Sequence, residues 1–179
     1  MTLLRSLILL MVAGMLSGCV GAAAEGARTT ADIAKRNNYM SRAEAGDPEA
    51  QFKVGGSYCC NTGVVSGAYD NQKATEWLCR AALQGYGPAQ YRLGRIYSGD
   101  LVDGVRLMRR VAIAALGPDS DLDLAEMWFT LAAQNDVKGA ADKRDDVARK
   151  LSPEQRDKAA QLLQSWKTAP CTWNQVYGS

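Results

Sequence analysis

The chain has 179 residues, 47% of them hydrophobic, with 21 lysines and arginines against 19 aspartates and glutamates. That length suits one domain with its own core plus short appendages. The near-balance of charge lacks the basic excess of a nucleic-acid binder, so no nucleic-acid partner is expected. Histidine is absent, which excludes His-dependent triads, His-ligated metals and an imidazole pH switch. No metal or cofactor site is expected, and a catalytic role would need carboxylate, lysine, tyrosine, cysteine or a serine with another base.

The first element in chain order is a secretory signal over residues 1–18. Arg5 supplies its positive end, and residues 6–16 are an apolar run of eleven, short of the roughly 20 a membrane-spanning helix needs. The run closes on Leu16-Ser17-Gly18-Cys19, which resembles a bacterial lipobox. That motif has a branched apolar residue, two small residues that enter the peptidase closely, and a cysteine whose thiol takes diacylglycerol before cleavage. The resemblance implies that Cys19 becomes a lipidated N-terminus. The alternative is ordinary cleavage near Ala22-Ala23-Ala24, with Cys19 discarded. Val20 stands where an aspartate would retain an enteric lipoprotein in the inner membrane. The implied location is therefore the outer membrane of a bacterial cell envelope, facing the periplasm. Acyl chains contribute about 0.8 kcal/mol per buried CH₂, so membrane attachment needs no further helix. Residues 19–30 are small and polar and read as a tether.

The folded domain is expected over residues 31–168. A single helix over 29–45 covers its first unit. Next comes "AEAGDPEAQFKVGGSY" (43–58), which recurs as "ALQGYGPAQYRLGRIY" (82–97) at an offset of 39 residues. Ala50, Val54 and Tyr58 recur at four-residue spacing, as do Ala89, Leu93 and Tyr97, each set forming the apolar stripe of a helix. Gly55 and Gly94 within those stripes allow close helix approach. "ATEWLCRAA" (74–82) recurs as "AEMWFTLAA" (125–133) at an offset of 51. It places Trp77, and then Trp128, against alanines of a neighbouring helix. The two offsets differ by 12, so the second unit carries an insertion of that length between its helices.

Four cysteines remain besides Cys19: Cys59, Cys60, Cys79 and Cys171. An even number in an exported protein favours disulfides. Antiparallel packing of the first unit would place Cys79 within reach of Cys59 or Cys60, leaving the other vicinal cysteine for Cys171. No C-x-x-C or zinc-like spacing occurs.

The insertion, "DGVRLMRRVAIAALGP" (103–118), has an apolar stripe between two glycines and carries Arg106, Arg109 and Arg110 on its remaining surface. It reads either as a basic face for an acidic partner or as a packing helix with solvated charges, and solvated charges are the commoner case. "GAADKRDDVARK" (139–150) is a weaker third unit. "LSPEQRDKAAQLLQSWK" then opens with Ser152 as N-cap, Pro153 at the first helical position and Gln155 completing a capping box. Its apolar face, with Ala159, Leu162, Leu163 and Trp166, is expected to seal the stack. Residues 169–179 are left as a tail. The expected architecture is all-α: about eight helices, no sheet, and stacked pairs in which each unit buries its neighbour's face.

The residues named resemble the Sel-one-like repeat, a relative of the tetratricopeptide repeat. Its first helix reads A-x-x-x-L-G-x-x-Y-x-x-G, which Ala89, Leu93, Gly94 and Tyr97 follow, with Asp100 at the final position. Its second reads A-x-x-W-x-x-x-A-A-x-x-G, which Ala74, Trp77, Ala81 and Ala82 follow, the closing glycine falling one place late at Gly85. In the third unit Asp145 and Ala148 replace the glycine and the tyrosine. The resemblance covers residues 45–150 and implies a short α-solenoid whose concave surface holds a protein or peptide partner. The implied function is a non-catalytic, envelope-anchored interaction scaffold, an adaptor in an envelope assembly. Its candidate contacts are Gln51, Lys53, Gln90, Arg92 and Arg95 on the first helices, together with Arg106, Arg109 and Arg110. A second reading is a cell-wall enzyme, since cysteine-rich relatives of the repeat are associated with penicillin binding or β-lactamase activity. No S-x-x-K, S-D-N or K-T-G element supports it. A third reading is a brace that spaces envelope components without a ligand groove.

Overall fold

A computed structural model describes residues 29–60, 70–100 and 121–178. Every regular element among them is helical. Helix α1 spans 29–44, within one residue of the helix expected over 29–45, so the folded region starts two residues before the expected domain boundary at 31. It is followed by α2 (Pro48–Tyr58), α3 (Asn71–Leu83), α4 (Gly87–Tyr97), α5 (Leu122–Gln134), α6 (Ala140–Ala148) and α7 (Pro153–Gln164). One 3-10 turn (Trp166–Thr168) and a short helix, α8 (Trp173–Tyr177), complete the chain. None of the described helices is long and apolar enough to cross a membrane.

Local chemistry sets the boundaries. Asp47 caps α2, its Oδ1 accepting from the amides of Glu49 (2.9 Å) and Ala50 (3.2 Å), and Pro48 opens the first turn. The Ala50 amide and the Arg42 guanidinium hold the Asp47 carboxyl below its ordinary pKa. Asp70 caps α3 and Asp121 caps α5, each side chain accepting from a backbone amide of the first turn. The capping box at Ser152 and Gln155 forms as expected. The turn before each first helix needs a left-handed residue. Gly46 (φ 98°) and Gly85 (φ 85°) supply it twice, and Asp136 (φ 55°) takes the same role ahead of the third unit.

Consecutive helices stack on one another, α2 on α3, α3 on α4, α4 on α5 and α5 on α6, and α7 also packs against α5. The first helices α2, α4 and α6 thus form one row, and the second helices α3, α5 and α7 another. Gly55 and Gly94 are the points of closest approach. A Cβ at Gly55 would stand 2.8 Å from Leu78 Cγ and 3.0 Å from the α3 backbone, and one at Gly94 would stand 2.7 Å from the Phe129 ring. The main core runs through both complete pairs, with Leu78, Leu93, Tyr97, Trp128 and Phe129 fully buried. Trp128 lies mid-stack with no exposure. Its counterpart Trp77 is half-buried, packed on the small cluster of Ala43, Ala50 and Val54 that α1 closes. That difference is expected of an end unit, which has only a single helix beyond it.

The insertion leaves the pairing of helices unchanged. Asp70 N donates to Tyr58 O (2.9 Å) across the first loop, and Asp121 N donates to Tyr97 O (2.9 Å) across the longer one. The same bond closes both loops, so twelve extra residues leave the helix ends where they were.

The tail is the main correction to the expected domain plan. Residues past 168 belong to the fold and lie antiparallel along α3. Trp173 N donates to Thr75 Oγ1 (2.7 Å), Asn174 N to Gln72 Oε1 (2.8 Å), and the buried Tyr97 hydroxyl to the Cys171 carbonyl. Burial, before any other cause, pushes the Tyr97 phenol above its ordinary range. Tyr177 packs between Trp173 (ring centroids 4.5 Å) and Tyr97 (6.1 Å).

Candidate partner-binding surface

The three first helices carry equivalent residues on their outer faces. At the repeat offsets of 39 and 51, Lys53 of α2 corresponds to Arg92 of α4 and to Lys143 of α6, and Phe52 corresponds to Tyr91. All five are half-buried, so their stems lie in the surface between helices while the polar ends reach outward. The row is knitted by contacts between units. The Arg92 guanidinium reaches α2, lying 3.7 Å from where a Cβ on Gly56 would stand. The Tyr91 hydroxyl lies 3.7 Å from the corresponding point at Gly139, at the start of α6. Asp100, past the end of α4, sits 2.6 Å from Lys143 Nζ and 3.9 Å from Arg95 Nε. Phe52 packs against Tyr86 (ring centroids 5.7 Å), and Tyr91 against Phe129 (5.6 Å). The result is a strip with one cation per unit and aromatic rings beneath the first two units, while the third has the exposed Asp142 at the place of Phe52 and Tyr91.

Of the five contacts expected on the first helices, the structure brings Lys53, Arg92 and Arg95 to this strip. It removes Gln51 and Gln90, which are 5% and 1% exposed. Gln51 Nε2 donates to Ala43 O (3.1 Å), and its Oε1 accepts from Gln84 Nε2 (2.8 Å). Gln90 repeats the arrangement, donating to Ala82 O (3.2 Å) and accepting from Asn135 Nδ2 (2.8 Å). Each glutamine gives a second donor to a terminal carbonyl of the preceding helix, which also accepts from the amide of Gly46 or Gly85, and ties it to the cap of the next. They are hydrogen-bonding links between units and not partner contacts. Gln90→Ala is expected to cost about 1–2 kcal/mol by removing two hydrogen bonds between units, although the Ala82 carbonyl still accepts from Gly85 N and Asn135 Nδ2 still donates to Leu131 O. Lys53→Ala should cost under about 0.5 kcal/mol. Urea denaturation of the two variants checks the contrast.

Lys143 was missed by the sequence reading. The offset of 51 that aligns Trp77 with Trp128 would have found it from Arg92, but loss of the glycine and tyrosine in the third unit hid the correspondence. Arg106, Arg109, Arg110 and Cys19 lie outside the described residues.

The cysteines are paired otherwise than expected. Cys79 is bonded to Cys171 (Cα–Cα 5.9 Å), and Cys59 to Cys60. Cys79 lies eight residues into α3, about 12 Å along the helix from the end that meets Cys59. Neighbouring antiparallel helices do not bring those two positions together. The tail running along α3 brings Cys171 instead. Among the described residues, no group of three His, Cys, Asp or Glu is arranged to hold a metal ion.

Stacked antiparallel helix pairs with equivalent side chains repeated along one row define a helix-pair repeat protein, whose stability and surface both come from stacking. The Sel1 repeat family model matches residues 48–86, 87–106 and 114–137. The chain carries Sel1 repeats over these stretches. The second and third stretches fall on α4 and α5, the two helices of one pair parted by the insertion, and the match stops before α6. The chain is similar to a crystal structure described as c5321, a protective antigen present in uropathogenic Escherichia coli strains displaying an SLR fold. Identity is 29% and the TM-score 0.55, over 73% of this chain and 24% of that one. This chain therefore spans about a quarter of that protein's crystallised length. No curated protein matches it. Sel1 repeats are protein–protein interaction scaffolds and are generally non-catalytic.

Proposed function

We propose that this chain is an envelope-anchored adaptor. A lipid on Cys19 ties it to the periplasmic face of the outer membrane, and the row formed by α2, α4 and α6 holds a protein partner. The observation that carries the reading is the regular strip on that row: Lys53, Arg92 and Lys143 recur in register with the helices, as a surface built for an extended partner would require. The Leu16-Ser17-Gly18-Cys19 motif supports the anchor. The Cys79–Cys171 bond supports an oxidising compartment.

The test is metabolic labelling with an alkyne fatty acid in a Gram-negative host, followed by membrane fractionation. The full chain is expected to carry label and to sediment with outer membranes. Cys19→Ala should abolish the label and leave the protein outside the membrane fraction. An unlabelled wild-type chain recovered from the cytosol would refute the anchor.

A further inference from the structure

The face of α3 beneath the tail presents hydrogen-bond acceptors that α3 itself aims. The Thr75 hydroxyl donates within its own helix, to Asn71 O (2.9 Å), so its oxygen is left to accept from Trp173 N (2.7 Å). Gln72 Nε2 donates to Glu76 Oε1 (2.7 Å), which turns Gln72 Oε1 toward Asn174 N (2.8 Å). Both orientations are set by residues one turn away on the same helix, so they do not depend on the tail. At the end of α4 the Tyr97 hydroxyl adds a donor for the Cys171 carbonyl.

The tail is shaped locally as well. Gln175 Oε1 accepts from Cys171 N (3.0 Å) and Thr172 N (2.9 Å), the two amides ahead of α8. The next two amides, Trp173 N and Asn174 N, open α8 and have no carbonyl partner within it; these are the ones α3 takes. Tyr177 packs on Trp173 one turn earlier and meets Tyr97. Each half of the contact keeps its form without the other, and the face reads groups that every copy of this segment carries.

Cys79 and Cys171 are each 4% exposed, with Cα atoms 5.9 Å apart, within the range a disulfide requires. The bond therefore forms only once a tail is seated. A dithiol opens it by exchange, becoming a disulfide while the two cysteine sulfurs each take up one electron and one proton. The tail is then held by its rings and by three hydrogen bonds, each worth about five-fold in an equilibrium.

We propose that the tail is an exchangeable strap. Once the Cys79–Cys171 bond is opened, the α3 face takes the tail of a second copy, and re-oxidation joins Cys79 of one chain to Cys171 of the other. Exchange of an identical element between copies is a low-cost route to a dimer. The site lies on a second helix, apart from the row of first helices.

The test mixes two forms of the full mature chain, each carrying Cys19→Ser, Cys59→Ser and Cys60→Ser. The donor adds Cys79→Ala and a size tag, and the acceptor adds Cys171→Ala, so neither can close the bond within itself. After oxidation in glutathione buffer, non-reducing electrophoresis should show the donor–acceptor dimer exceeding either homodimer at least about ten-fold. Trp173→Ala with Tyr177→Ala should cut the dimer about ten-fold when placed in the donor. The same pair in the acceptor should raise it about three-fold, because the acceptor's own tail then competes less. Thr75→Val should lower it about five-fold in the acceptor and leave it unchanged in the donor. A substitution that merely loosened the fold would act alike in both partners, and circular dichroism checks that the helices are retained.

Monomers alone after oxidation, dimers in statistical proportion, or the same response in donor and acceptor would each overturn the proposal. Capture of an isolated peptide of residues 169–179 by the acceptor, with no donor–acceptor dimer, would overturn the second copy as the occupant of the face.

Discussion

Replacing both members of the Cys79–Cys171 bond by alanine lowers the free energy of unfolding by about 4–5 kcal/mol. The bond joins residues 92 positions apart, and closing a loop of that size removes about that much chain entropy from the unfolded state. This is a large share of the roughly 5–15 kcal/mol that holds an ordinary domain together. The bond also spans the stack, tying the segment after α7 to the first complete pair and bypassing the second. Its loss should therefore leave the backbone donors Trp173 N and Asn174 N, bonded to Thr75 and Gln72, exchanging with solvent far faster than the amides of α4 and α5. Urea denaturation and hydrogen exchange of the double variant check both effects. A loss below about 1 kcal/mol would show that the tail is held by its hydrogen bonds and aromatic contacts alone.

Two adjacent glycines are expected to respond to the same substitution with opposite signs. Gly55→Ala should destabilise by about 2 kcal/mol. The new methyl meets Ala74 O and Leu78 N at 3.0 Å. These are backbone atoms that cannot move aside without shifting α3, and overpacking of this kind costs about 1–3 kcal/mol. Gly56→Ala should stabilise by up to about 1 kcal/mol. Its methyl meets Arg92 Nη2 at an ordinary 3.7 Å, and alanine is favoured over glycine within a helix by about that much. Thermal melts of the two variants should differ by roughly 6–12 °C at this chain length. Similar melting temperatures would mean that α2 and α3 are not in the close contact described.

These glycines also show why much of the fold was legible. Gly55 and Gly94 stand at the same place in two units, and a residue recurring at the offset of a repeat reports the same burial each time. The stripes of Ala50, Val54 and Tyr58, and of Ala89, Leu93 and Tyr97, could be read for the same reason: helical periodicity is local, and the packed face lies within four residues of itself. The capping box at Ser152 and the aspartates before α2, α3 and α5 are local signals too.

Gln51 and Gln90 recur as faithfully as the glycines, yet their role was misread. Recurrence says that two positions share an environment. It does not say whether a polar side chain there meets solvent or the last carbonyl of the preceding helix. That depends on Ala43 and Ala82, eight residues earlier in each case but brought close only by the turn between helices. Lys143 was hidden for the converse reason, since its place in the row survives in three dimensions after the unit's sequence pattern has faded.

What the amino-acid sequence determined by itself is the helix-pair repeat, its two complete units and the insertion in the second, because each follows from residues spaced within a turn or two of a helix. What only the tertiary structure decided is the return of the tail along α3, the partner of Cys79, and the division of polar residues between links and surface. Those depend on distances between segments as much as a hundred residues apart, and spacing along a chain carries no record of such distances until the chain has folded.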